Sequence, residues 1–312
     1  MNLILDTNIY RNLVRNLSDD EILATSNTIK DKCNRDDITL SFPISSAMEL
    51  ISHFNDENPT EQQECKSALK LLVNLSTTCS SGDIKVSYIP PLNAVLEKYF
   101  FETKGKYAEM YEKVIKLAQI LVGNIIGYEP LEISKHTETV KNQLKSDKKE
   151  IRDNYEAYLR SINDGDADWE YFKDKKKLRN DYYNSLKSGR LSFLVAESFV
   201  DRAHNITEKI IIKDQDYIDK IIKFMRDFCP ALLMNERLLE NVGNSVKAIA
   251  DITDKRWNTI IDISIILGAL YNPNNIDRRL VTEEKNIHSS FESCGFQNKI
   301  MNLGEFKSLM AI

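Results

Sequence analysis

Four acidic residues stand where a carboxylate is costly or well placed for chemistry. Asp6 ends the apolar run Asn2-Leu3-Ile4-Leu5, and Glu284 lies two residues beyond Arg279-Leu280-Val281-Thr282. Asp262 is set in a stretch from Ile260 to Leu270 in which only it and Ser264 carry polar side chains. Glu49 sits among Ala47, Met48, Leu50 and Ile51. A helix apolar on every face is a buried helix, and an ionised carboxylate there is expensive unless it is paired or bound to a metal. Carboxylates gathered in one place repel one another and take up protons. A hard divalent cation relieves that repulsion, and an all-oxygen ligand set favours Mg2+ or Mn2+ over zinc. Such an ion binds phosphates, acidifies a bound water and steadies an in-line displacement. The chemistry expected of these residues is metal-assisted phosphodiester hydrolysis.

Two of these acids also have a plainer role open to them, and the other two have rivals. Ser46-Ala47-Met48-Glu49 fits a capping box, in which Glu49 would bond back to the helix start. Glu284 could simply favour a helix N-terminus after the N-cap type Thr282. Asp6 could belong to a phosphatase that uses a phosphoaspartate, but that chemistry wants a second Asp two residues on, and position 8 is Asn8. Glu283 could replace Glu284 if the register shifts by one. Asp251 and Asp254 are alternatives to Asp262, in a polar stretch where solvation is the expectation.

The elements that must position these residues are legible at the two ends of the chain. Asn2–Leu5 reads as a buried strand, with helices expected from Ile9 and from Ser18-Asp19-Asp20-Glu21. Residues 38–42 read as a second strand closed by Pro43, followed by a helix carrying Glu49. Residues 83–89 are expected to form one further strand before Pro90-Pro91. Near the other end a helix from Trp257 to Leu270 precedes a strand at 279–282, a short helix at 287–291, a strand near 299–302 and a helix from Gly304. Strand and helix in alternation imply an α/β fold with a parallel sheet flanked by helices. Ligands bind such sheets outside the carboxyl ends of the strands, where Asp6 and Glu284 lie. Between the ends, residues 92–247 read as mostly α-helical, at 92–101, 107–121, 138–160, 171–186 and 216–227. The expected organisation is an α/β core of residues 1–91 and 248–312, split by a large helical insertion at 92–247. The apolar residues of 224–239 are expected in a core.

Leu5-Asp6-Thr7-Asn8-Ile9, Glu49, Asp262 and Leu280-Val281-Thr282-Glu283-Glu284-Lys285-Asn286 together resemble the PIN-domain ribonuclease family, which includes the VapC-like toxins. The likeness covers roughly the first and last sixths of the chain. It departs from the family in having Glu284 where an Asp is usual, and in the length of chain between Glu49 and Asp262. The resemblance implies a PIN-like sheet and a metal-dependent endoribonuclease that leaves a 5′-phosphate and a 3′-hydroxyl. Asp6, Glu49, Asp262 and Glu284 would be catalytic, with Asp6, Asp262 and Glu284 on Mg2+ or Mn2+, and Asn8 and Thr282 in support. It also leaves room for a homodimer and a protein inhibitor. Two other readings stay open: a degenerate PIN-like scaffold that binds nucleic acid without cutting it, and a structure-specific DNA nuclease.

Composition bounds these readings. The 312 residues are 42% hydrophobic and 29% charged, with 10 Gly and 7 Pro, which is globular composition. A net charge of −5 excludes a histone-like mode of binding. An RNA partner, single-stranded or structured, would need a local basic surface. Lys175, Lys176, Lys177 and Arg179, interleaved with Tyr171, Phe172, Tyr182 and Tyr183, are the candidates, although nearby acids also suit a solvated helix face. Five scattered cysteines make no C-x-x-C pair, and with four histidines no zinc spacing appears. Reduced thiols, a cytoplasmic location and no membrane span are expected.

Overall fold

The computed structural model describes residues 1–55, 57–80, 83–103, 108–123, 130–162, 190–244 and 259–312, with isolated positions between 165 and 189. The first apolar run is β1 (Asn2–Leu5), buried at all four positions. Asp6 then caps α1 (Thr7–Val14), and Ser18 caps α2 (Asp19–Arg35) through a capping box with Glu21. β2 (Thr39–Pro43) runs straight into α3 (Ile44–Ser52), and α4 (Pro59–Ser76) follows, capped by Asn58 with proline in its first turn.

The strand expected over 83–89 is two strands. β3 (Thr77–Ser80) and β4 (Asp83–Val86) form a separate antiparallel hairpin, whereas β5 (Tyr88–Ile89) pairs with β2. Ser87 marks the break: its amide bonds to Ser76 and its hydroxyl to Ser41, which in turn donates to Asn2.

Helices then follow at α5 (Leu92–Phe101), α6 (Ala108–Leu121), α7 (Pro130–Ile162), α8 (Arg190–Thr207), α9 (Gln215–Asp227), α10 (Cys229–Asn244) and α11 (Thr259–Leu270). β6 (Arg278–Val281), α12 (Lys285–Ser293), β7 (Ile300–Met301) and α13 (Leu303–Met310) complete the chain. The helix expected from 138 begins at Pro130, a residue suited to a first helical position. That expected at 171–186 lies almost wholly outside the described residues, as does Trp257. Among the described residues no helix is long and apolar enough to cross a membrane.

The main sheet has five parallel strands in the order β5-β2-β1-β6-β7. One hydrophobic cluster covers its first face with side chains from α1 to α4 and from α6, α7 and α13. The second covers the other face with α5, α8, α9, α10, α11 and α12. Helices of the 92–247 stretch therefore enter both cores, and Phe224, Leu232, Met234 and Leu238 are buried as expected.

Cys229 and Cys294 form a disulfide between the start of α10 and the end of α12, against the expectation of reduced thiols. Their separation of 65 residues hid the pairing in the sequence. Arg237 of α10 adds hydrogen bonds to the Asn286 carbonyl and to the Ser289 and Ser290 hydroxyls of α12.

The helix carrying Asp262 reaches the sheet through Gly268. A Cβ there would sit 2.4 Å from Ile89 Cγ2, closer than packed carbons tolerate. Gly268→Ala is expected to cost about 1–3 kcal/mol through overpacking, measured as a fall in denaturant midpoint. An unchanged midpoint would show that this close approach is not required.

Candidate active site

Strand pairing brings the two ends of the chain together. β1 and β6 run in register with Leu5 opposite Val281, and the Asp6 amide donates to the Val281 carbonyl at 3.1 Å. Asp6 and Thr282 therefore leave the sheet side by side. The chain builds outward from β1 in one direction through β2 and β5, then crosses to β6 and β7. The crevice between β1 and β6 is thus the switch point at which open parallel sheets take their ligands.

Two consecutive residues, Thr7 and Asn8, engage three acids. Asp6 turns its carboxylate back to accept from the Thr7 amide at 2.6 Å and from the Thr282 hydroxyl at 2.9 Å. The Thr7 hydroxyl donates to Glu49 Oε2 at 2.8 Å, and Asn8 Nδ2 donates to Glu284 Oε1 at 2.8 Å. Thr282 also accepts from the Glu284 amide, while His288 Nε2 lies 2.8 Å from its carbonyl. The carboxylate of Asp262, in the first turn of α11, has no hydrogen-bond partner among the described residues. Asp6, Glu49, Asp262 and Glu284 line one cavity of about 490 Å3.

The plainer roles can now be compared with the geometry. Helix α3 starts at Ile44 directly after Pro43, three residues before the start a Ser46 cap requires, and Ser46 Oγ is buried without a partner among the described residues. Glu49 is therefore not closing a capping box. Glu284 does occupy the N-cap position of α12, but its side chain makes no cap bond there. Glu283 instead accepts from the Leu303 amide at the start of α13, so Glu284 is the acid that faces the cavity. His53 ends α3 and does not line the cavity. Lys177 is exposed and does not line it either. Lys175, Lys176 and Arg179 lie outside the described residues, as do Asp251 and Asp254.

Burial and like charge act together here. Asp6 is 3% exposed, and its pKa is raised from 3.8 to about 7. Burial is the largest cause, opposed by the Thr282 hydrogen bond and reinforced by the charges of Glu49 and Glu284. Asp262 is pushed well above the usual carboxylate range, again first by burial and then by Asp6, Glu284 and Glu49. Tyr10, one turn after Asp6, is buried with its hydroxyl unpartnered among the described residues and is held neutral by burial and the Asp6 charge. Among the described residues no three His, Cys, Asp or Glu side chains are drawn together as a ligating set. Three of the four acids are turned to their own neutral donors, and mutual repulsion opposes closer approach. As a donor set they suit a hard cation: all oxygen, excess negative charge, and one carboxylate without a hydrogen bond among the described residues.

Several residues in or beside this arrangement carried no clear mark in the sequence. Thr7 and His288 could have been suspected, one directly following an acid and the other one helical turn after Glu284. Arg11 and Met234, which also line the cavity, gave no signal because their partners are remote in the chain. No family model, curated protein or solved structure matches the chain.

A raised carboxylate pKa gives stability that is complete below the unfolded value near 4 and lost as pH rises through the folded value near 7. The metal-free protein should therefore lose stability between about pH 4 and 7 by a few kcal/mol, at most about 4 from Asp6 alone. Asp6→Asn should flatten this slope and melt higher than wild type at pH 8. Parallel melting curves for the two proteins across that range would show that Asp6 carries no such strain.

Proposed function

We propose that the protein is a metal-dependent endoribonuclease with a PIN-like core. The observation that carries the reading is the meeting of four carboxylates, from the ends of β1 and β6 and from α3 and α11, at the switch point of the parallel sheet. All four positions expected from the resemblance remain acidic, which favours an enzyme over a degenerate scaffold. A bound Mg2+ or Mn2+ would supply charge neutralisation for a phosphodiester and a more acidic water.

Asp6 is the central ligand, oriented by Thr7 and Thr282 through both of its oxygens. Asp262 and Glu284 complete the set. Glu49, held by Thr7, is a further ligand or orients the attacking water. Asn8 fixes the longer Glu284 side chain, which gives this position the definition that the extra methylene would otherwise take away. Water adds to phosphorus as the bond to the 3′-oxygen breaks, so that the products carry a 5′-phosphate and a 3′-hydroxyl.

Labelled single-stranded RNA and DNA, incubated with Mn2+, Mg2+ or EDTA, test this directly. Wild type should cut RNA only with metal present. Asp6→Asn and Asp262→Asn should lose at least about 100-fold, and Thr282→Val, which removes an orienting hydroxyl, about 10–100-fold. Cleavage that persists in EDTA, or survives in folded Asp6→Asn, would refute the assignment. Preferential cutting of DNA would move the reading to a deoxyribonuclease.

A further inference from the structure

Four acids around a cavity repel the polyanion they are meant to cut. Even two positive charges from a divalent ion leave such a set no better than neutral, so a phosphate entering it gains from a fixed cation nearby. Among the described residues lining the cavity, Arg11 is the one cation. It sits on α1, beyond Asp6, Thr7 and Asn8.

Its guanidinium is anchored on one side only. Nη2 lies 2.9 Å from Glu61 Oε1 and 3.0 Å from Glu64 Oε2, both on α4. Nε and Nη1 have no hydrogen bond among the described residues, and the side chain is 26% exposed. Guanidinium is a planar fork whose donors match two phosphate oxygens at once, and prior anchoring lowers the entropy lost when it engages. A structural ion pair between α1 and α4 would account for Nη2. It leaves Nε and Nη1, which are open to solvent beside a cavity lined with acids, free to meet an incoming anion.

We propose that Arg11 is the phosphate-binding residue of this site, donating from Nε and Nη1 to the non-bridging oxygens of a nucleic-acid phosphodiester while Glu61 and Glu64 hold it in place. The proposal rests on the nuclease reading for its substrate, but it concerns binding and can be tested apart from cleavage. Arg11 contributes to substrate capture and orientation, and Asp6, Asp262 and Glu284 hold the metal without it.

The test measures anisotropy of fluorescein-labelled single-stranded RNA with Mn2+ present, over a series of salt concentrations, in an Asp6→Asn background that does not cut. Adding Arg11→Ala should weaken binding at least about tenfold and reduce the slope of log Kd against log salt by about 1, the loss of one phosphate contact. Arg11→Lys, which keeps the charge and the anchor but not the fork, guards against a folding defect: it should keep the salt slope while binding several-fold more weakly than arginine. In the cleaving protein, Arg11→Ala should raise KM more than it lowers kcat and leave Mn2+ affinity unchanged. Unchanged RNA affinity and salt slope in folded Arg11→Ala would overturn the proposal, as would a protein that binds no RNA at all. Wild type that binds RNA through Arg11 but neither takes up Mn2+ nor cuts would instead sink the nuclease reading and leave this contact standing.

Discussion

Repulsion among four carboxylates held at one edge of a parallel sheet is the constraint on which the rest of the structure turns. A free surface would let such groups separate into water, at little cost. Here Asp6 is fixed by strand pairing, Asp262 by a helix pressed on the sheet, and the other two by donors from the residues beside Asp6. Burial, reinforced by the like charges, favours the protonated forms, which is why Asp6 titrates near neutrality and Asp262 well above its usual range. A cation would relieve the repulsion without neutralising the acids one by one, and the stability that the gathered acids give up becomes binding free energy for the ion.

The helices between residues 92 and 247 serve that same edge. Met234 of α10 lines the cavity, and α10 is tied to α12 by Arg237 in its middle and by Cys229–Cys294 at its start. Glu284 stands at the N-cap of α12, so the position of this acid depends on a helix from the middle of the chain. Helices of the 92–247 stretch are built into both faces of the sheet, and Met234 among them lines the cavity of the carboxylates.

How much of this could be read from sequence follows from how local each signal is. The strand before Asp6, the caps of α2 and the buried helix around Asp262 are set by neighbours within a turn or two, and each is where the residue pattern places it. Asp262 stood out because a carboxylate in an apolar helix has few physical explanations. Glu49 was ambiguous because a capping box is also local, and only the observed helix start at Ile44 decides against it. The division of 83–89 into two strands depends on Ser87 meeting Ser41 and Ser76, contacts that no window of sequence contains. Arg11 stayed hidden for the same reason: its importance comes from the acids of α4 and from a cavity assembled by both ends of the chain.

Calorimetric titration of metal-free protein with Mn2+, in two buffers of different ionisation enthalpy at pH 7 and pH 8, bears most directly on the carboxylate cluster. Wild type should bind the ion and release protons, more at pH 7 than at pH 8, because acids held protonated by burial and repulsion must ionise to become ligands. Asp262→Asn should weaken binding at least about tenfold. A titration without heat, or binding that ignores Asp262 and releases no protons, would contradict the account at its root.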